Sequence, residues 1–174
     1  MKKNDLMGRI NKYLNVKKLT VDEKNQLISK AVETLSKHTD NLEKNISVIE
    51  ADQKSLIEIA KTKLKQQNGK NEARQAIGDK LTLDRKLFQY NSALLMIEEQ
   101  QMRLQEKRME VTKQTIDEIL TYIDKFIKAD NAEYLKYLPE YEEFGADPVS
   151  EDDIDEELKI LEEEMIQEDI GIKK

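Results

Sequence analysis

The sequence predicts an all-α fold: a long, coiled-coil-like helical hairpin, preceded by a short N-terminal helix and followed by an acidic C-terminal helix. Three observations carry this expectation. Charged residues make up 37% of the 174 residues, against about a quarter in an average globular domain, and only five Gly and two Pro interrupt the chain. Apolar residues recur at the alternating four- and three-residue spacing of a helical seam over two long stretches. A strong turn signal, Asn68-Gly69, separates those stretches. A chain rich in Glu, Lys, Leu, Ile and Gln has much surface for its core, so narrow seams between helices are expected in place of a thick interior.

Residues 1–18 read as a basic amphipathic segment. Leu6, Ile10, Tyr13 and Leu14 share helical spacing within Asp5–Asn15, with Met7 beside them and Arg9, Lys12, Lys17 and Lys18 around them. Such a segment suits an anionic membrane surface, with Lys2, Lys3, Leu6, Met7, Arg9 and Ile10 as the contacts. Docking on the rest of the protein is the alternative, because about eleven residues of helix are marginal alone.

The hairpin is expected over residues 19–130. Thr20-Val21-Asp22-Glu23 is a capping box, in which hydroxyl and carboxylate each satisfy an orphan backbone N–H. Ile28, Val32, Leu35, Leu42, Ile46, Ile49, Leu56 and Ala60 then follow in one register, with Thr39 and Gln53 in its gaps. This first helix runs to Gln66-Gln67-Asn68-Gly69. A second helix is expected from about Asn71 to Asp130, with breaks near Gly78 or Gln100-Gln101 left open. One of its columns repeats every seven residues: Leu81, Phe88, Leu95, Met102, Met109, Ile116, Ile123. Another contains Leu83, Tyr90, Ile97, Leu104 and Val111. The two are offset by two residues, about 200° around a helix, so they lie on nearly opposite faces. One column serves the first helix. The other, assigned to Leu83–Val111, is expected to join copies of the chain unless residues 131–167 fold back over it.

Residues 131–149 read as a linker with one short helical piece, carrying Tyr134, Tyr137, Tyr141 and Phe144 among acids and broken by Pro139, Gly145 and Pro148. Ser150 caps a last helix over residues 150–167, with Glu151, Asp152 and Asp153 in its first turn. Ile154, Leu158, Leu161 and Met165 give it one greasy face, about four turns long and ending before Gly171, which needs a groove to occupy.

Charge divides the chain. Residues 1–130 hold 25 Lys+Arg against 20 Asp+Glu; residues 131–174 hold 4 against 16. A basic body with an acidic tail implies either tail-on-body association or separate partners. Nine basic residues against four acids lie between Lys54 and Lys86, and Lys61, Lys63, Lys65, Lys70 and Arg74 surround the turn. The hairpin tip is therefore expected to be electropositive and to suit anionic headgroups.

Several chemistries are not expected. Without cysteine there is no disulfide framework or thiolate metal site. No run of about 18 apolar residues occurs, and no apolar stretch follows Lys2 and Lys3 to make a secretory signal, so a cytoplasmic protein is expected. The lone His38 has no second ligand, and no glycine-rich phosphate loop or nucleophile elbow is present. We therefore expect no enzyme activity and no cofactor. Nucleic-acid binding is not expected either, since few aromatics interleave the basic residues and the pI is near 5.0.

The stretch Lys65-Gln66-Gln67-Asn68-Gly69-Lys70-Asn71-Glu72-Ala73-Arg74-Gln75-Ala76-Ile77 resembles the hairpin turn of ESCRT-III proteins, the charged multivesicular body proteins. Leu81 to Gln100, closing on Ile97-Glu98-Glu99-Gln100, is similar to the stretch that follows in that family, and Glu151–Leu158 resembles its acidic C-terminal helix. The likeness covers roughly residues 20–130 and 150–166. It implies a helical hairpin whose shorter helices close back on it or release. The open form would polymerise, with itself or related ESCRT-III subunits, on anionic endosomal or other membranes and remodel them. It further implies disassembly by an AAA ATPase with MIT domains, and an adaptor that takes the helix carrying Ile154, Leu158, Leu161 and Met165. Three features depart from the family pattern. The chain is short between Val111 and Ser150, its first helix is net acidic from Val21 to Gln53, and Leu138-Pro139-Glu140 is only faintly like an MIT-binding motif. A structural coiled-coil or tethering adaptor without membrane activity is the competing expectation. A prefoldin-like subunit ranks last, because no strand pattern flanks Asn68-Gly69.

Overall fold

The computed structural model describes residues 19–108, 110–129 and 149–172. These form four helices, α1 (Val21–Leu64), α2 (Lys70–Glu106), α3 (Lys113–Lys128) and α4 (Glu151–Ile172), and the described residues contain no strand. The N-terminal segment with Lys2, Lys3, Leu6, Met7, Arg9 and Ile10 lies outside the described residues, as do the linker residues 131–148 with Leu138-Pro139-Glu140.

α1 starts at the expected cap. The Glu23 backbone N–H donates to Thr20 Oγ1 at 3.2 Å, and the Thr20 N–H donates back to Glu23 Oε2 at 3.0 Å. Its 44 residues make a rod of about 66 Å. The turn after Leu64 needs glycine for space: a Cβ on Gly69 would collide with the Lys63 carbonyl, although φ there is −87°. α2 returns antiparallel, with Lys63 beside Glu72, Gln53 donating to Asp84, and Gln101 donating to Ser36. In α1 the expected seam is the buried one: Ile28, Leu35, Leu42, Ile49 and Ala60 are core, joined by Ala31.

The second helix is not one rod. α2 ends at Glu106, and Thr112 restarts the chain by accepting the Thr115 N–H at 3.1 Å. Neither Gly78 nor Gln100-Gln101 breaks the helix. The break pays because α3 is strongly one-sided: Ile116, Ile119, Ile123 and Phe126 are buried against α1 and α2. α1 and α3 together thereby cover most of the column expected to stay free. Ile97, Leu104 and Val111 are 1%, 0% and 5% exposed, Tyr90 packs against the same cluster, and Leu83 is half-buried. This corrects the assignment of Leu83, Tyr90, Ile97, Leu104 and Val111 to contacts between copies, because neighbouring helices of the same chain fill that face. The opposite column stays open at Leu95 and Met102, which are 65% and 53% exposed.

Among the described residues, Gln89 is the one buried polar residue of the core. Its Nε2 donates to the carbonyls of Phe126 at 2.8 Å and Ala129 at 2.9 Å, and more loosely to Ile127 at 3.4 Å. Its Oε1 accepts from Lys86 Nζ at 3.1 Å. The last carbonyls of a helix lack intrahelical partners, so this amide caps α3 from the side.

Candidate functional site

α4 lies across the hairpin tip, and two kinds of residue place it there. The first are small. Ala60 from α1 and Ala73 and Ala76 from α2 make a shallow bed, with Ile77 as the large member. Leu158 and Leu161 sink into this bed, 4% and 5% exposed, with Ile154 and Met165 packed at its edges. Ile154 reaches into the space left by Gly78, its Cδ1 only 3.3 Å from where a Cβ would stand. All four apolar residues assigned to partner binding therefore face a groove, and that groove is the tip of their own hairpin. α4 is also longer than expected, continuing through Gly171 to Ile172.

The second kind are charged. Arg74 pairs with both Glu151 and Asp155, Lys61 with Glu168 at 3.0 Å, and Lys80 with Glu157 at 2.7 Å and Asp84 at 3.0 Å. Lys63 pairs within the hairpin, with Glu72. Lys65 and Lys70 stay exposed at the turn. Lys61 and Arg74, two of the five cations assigned to an electropositive, headgroup-binding tip, are thus occupied by α4 carboxylates. Of the two expectations for the acidic tail, tail-on-body association is the arrangement seen, and it covers part of the basic tip.

Energetics rank the two kinds. Burying a leucine side chain is worth about 1.5–3 kcal/mol. The carboxylates reach 59%, 80% and 58% side-chain exposure at Glu168, Glu151 and Asp155, and pairs that wet contribute about 0–1 kcal/mol each. The leucines hold α4 down, while the charges fix its direction and footprint. Lys80 is the most enclosed of the cations. Burial opposes its charge, but hydrogen bonds to Glu157 and Asp84 prevail and hold its pKa above the ordinary lysine value. The hydrogen bond to Glu168 likewise raises Lys61. At the start of α4, the Asp153 N–H donates to Ser150 Oγ at 3.1 Å and the Ser150 N–H donates to Asp153 Oδ2 at 3.0 Å; the latter bond, with the Ser150 hydroxyl beside it, holds the Asp153 carboxyl below its usual range.

Hydropathy could not have found Lys80, Gln89 or the alanine bed. Alanine carries little apolar signal, and a lysine or glutamine on a charged helix looks like solvated surface until its partners are placed. Among the described residues, no group of three or more His, Asp or Glu side chains is placed to hold a metal ion, and no helix is long and apolar enough to cross a membrane. The chain matches no protein-family model, no curated protein and no solved structure.

Proposed function

We propose that this chain is a non-catalytic, self-assembling membrane-remodelling subunit of the ESCRT-III kind, held closed by α4 on its hairpin tip. The observation that carries the reading is the seating of an acidic helix over Lys61, Arg74 and Lys80, cations that would otherwise face anionic headgroups. Releasing α4 would uncover the basic tip and free Ile154, Leu158, Leu161 and Met165 for an adaptor or for the MIT-bearing ATPase of the resemblance. Release of α3 would let α2 and α3 join into one rod, because the column Met102, Met109, Ile116, Ile123 keeps its seven-residue period across the break. In this reading the protein acts on the cytoplasmic face of endosomal or other membranes, peripherally and without a cofactor.

One observation favours the competing reading, a coiled-coil adaptor with no membrane role. α3 buries Ile97, Leu104 and Val111, so the closed chain has one apolar stripe fewer to explain. Co-sedimentation with anionic liposomes separates the two. Salt-sensitive binding by full-length protein, stronger for a Leu158→Asp variant and accompanied by filaments or coils in negative stain, supports the membrane polymer. If neither form binds or assembles, the adaptor reading takes its place.

A further inference from the structure

The groove beside α4 is a second surface whose chemistry differs from that of the tip. It encloses about 680 Å³ between α2 and the first half of α4. Its floor is apolar, from Leu81, Leu87, Phe88 and Ile160, and Ile160 stays 46% exposed although it borders a helix seated by its other face. Its rim is acidic: Asp84, Asp153, Glu156 and Glu157, against the single cation Arg85. Lys80 bridges Asp84 and Glu157 from behind, and counting it still leaves the rim net negative. An apolar floor inside an acidic rim excludes anionic lipid and selects a cationic, amphipathic peptide.

The chain carries such a peptide. Residues 1–18 hold six basic residues against Asp5 alone, with Leu6, Ile10, Tyr13 and Leu14 at helical spacing. We propose that this segment of one copy docks in the α2–α4 groove of a second copy. Reach decides between copies. Gln53 pairs with Asp84, so the groove lies at the level of residue 53 of α1, about 50 Å along the helix from Thr20. Fully extended chain covers at most about 3.6 Å per residue, so Ile10 can travel only about 36 Å from Thr20, and Tyr13 and Leu14 less. A molecule can bring at most Leu6 to its own groove, whereas its neighbour can seat Leu6, Ile10, Tyr13 and Leu14 together. The contact joins one end of a subunit to the other end of the next, a heterologous arrangement that adds subunits without closing unless the rotation happens to form a ring. This inference rests on the self-assembly in the proposed function and places a first contact between copies in the closed state, before α4 is released.

The test needs no membrane, so its failure is distinguishable from failure of the membrane reading. A fluorescein-labelled peptide of residues 1–18 is titrated with full-length protein carrying Leu6→Asp and Ile10→Asp, whose own segment no longer competes. Saturable binding is expected, weakened by added salt and by about tenfold when Glu156→Lys and Ile160→Asp are added. Both positions are exposed, so these changes spare the core, and unaltered helical circular dichroism checks it. With wild-type segments, the protein should form larger species in size exclusion as concentration rises, and the same two groove substitutions should abolish them. Absence of saturable binding would overturn the proposal, whether or not the protein binds liposomes. Equal binding to the Glu156→Lys, Ile160→Asp groove would overturn it as well, by moving the peptide to another part of the acidic surface.

Discussion

Replacing Leu158 by Asp isolates the hold of α4 on the tip. Leu158 is 4% exposed and stands beside Leu161 on the alanine bed. Loss of its burial removes about 1.5–3 kcal/mol. A carboxylate pressed against Ala73 and Ala76 adds at least about 1–3 kcal/mol for an unsatisfied buried group. The closed state therefore weakens by about 2.5 kcal/mol at the lower end, a shift of roughly 70-fold in the seated-to-lifted ratio. The seat itself rests on two buried leucines, two edge residues and mostly wet ion pairs, so a loss of that size is comparable with the whole. Hydrogen–deuterium exchange read by mass spectrometry is the assay. Amides of residues 154–170 should lose about two orders of magnitude of protection, while those of Ala93, Ile97 and Phe126 keep theirs. The latter belong to a second buried cluster that shares no residue with the tip cluster. If α4 stayed protected, the leucine seam would not be what holds it. If the amides around Ile97 and Phe126 opened as well, α4 would be part of one indivisible fold, and a releasable closing helix would be refuted.

Three further outcomes are expected. Gln89→Leu leaves the Phe126 and Ala129 carbonyls without their buried donor and should cost about 1–3 kcal/mol in urea unfolding, with the α3 amides exchanging faster than those of α1. Gly69→Ala must push the turn away from the Lys63 carbonyl, and a lowered melting temperature with α4 less protected should follow, since the bed of Ala60 and Ala73 flanks that turn. Lys80 has a folded pKa above its ordinary value of 10.5, so its contribution to seating α4 is complete below that pH and is lost as pH rises through the higher folded value. Half-buried Lys61 shifts in the same sense. α4 protection should accordingly fall at strongly alkaline pH, and Lys80→Met should blunt that fall; an unchanged alkaline profile would remove Lys80 from the seat.

Much of this architecture was legible because helices announce themselves by period. Thr20 and Glu23 marked the first cap, the Ile28–Ala60 register marked the inner face of α1, and Ile154, Leu158, Leu161 and Met165 marked the face of α4 that is buried. Direction of packing was not legible. Leu83–Val111 and Leu81–Ile123 are equally periodic, and periodicity says that a column is apolar without saying what covers it. The bend at residues 107–112 decided the matter by turning Ile116, Ile119 and Phe126 back onto one column and leaving Leu95 and Met102 wet. No proline or glycine marks that bend; a modest Thr112 cap and the gain from burying α3 outweigh the helical preference of the sequence around it. The tip was half legible. Its excess of cations was plain from composition, but their partners lie 77 to 107 residues away in the chain, at a separation where local pattern carries no information.

The amide of Gln89 also limits how α3 can move. Its –NH2 has two hydrogens, and it finds acceptors only when the end of α3, from Phe126 to Ala129, lies alongside. Sliding α3 by one residue or one turn along α2 would leave a dehydrated amide facing hydrocarbon, a state costlier than either full seating or complete exposure to water. Intermediate positions are thus raised in energy above both ends, and α3 has a detent, not a sliding scale. An effector that loosens α3 should therefore produce two populations with little between them, and the response of the molecule to it should be stepwise in each copy even when it is graded across an ensemble.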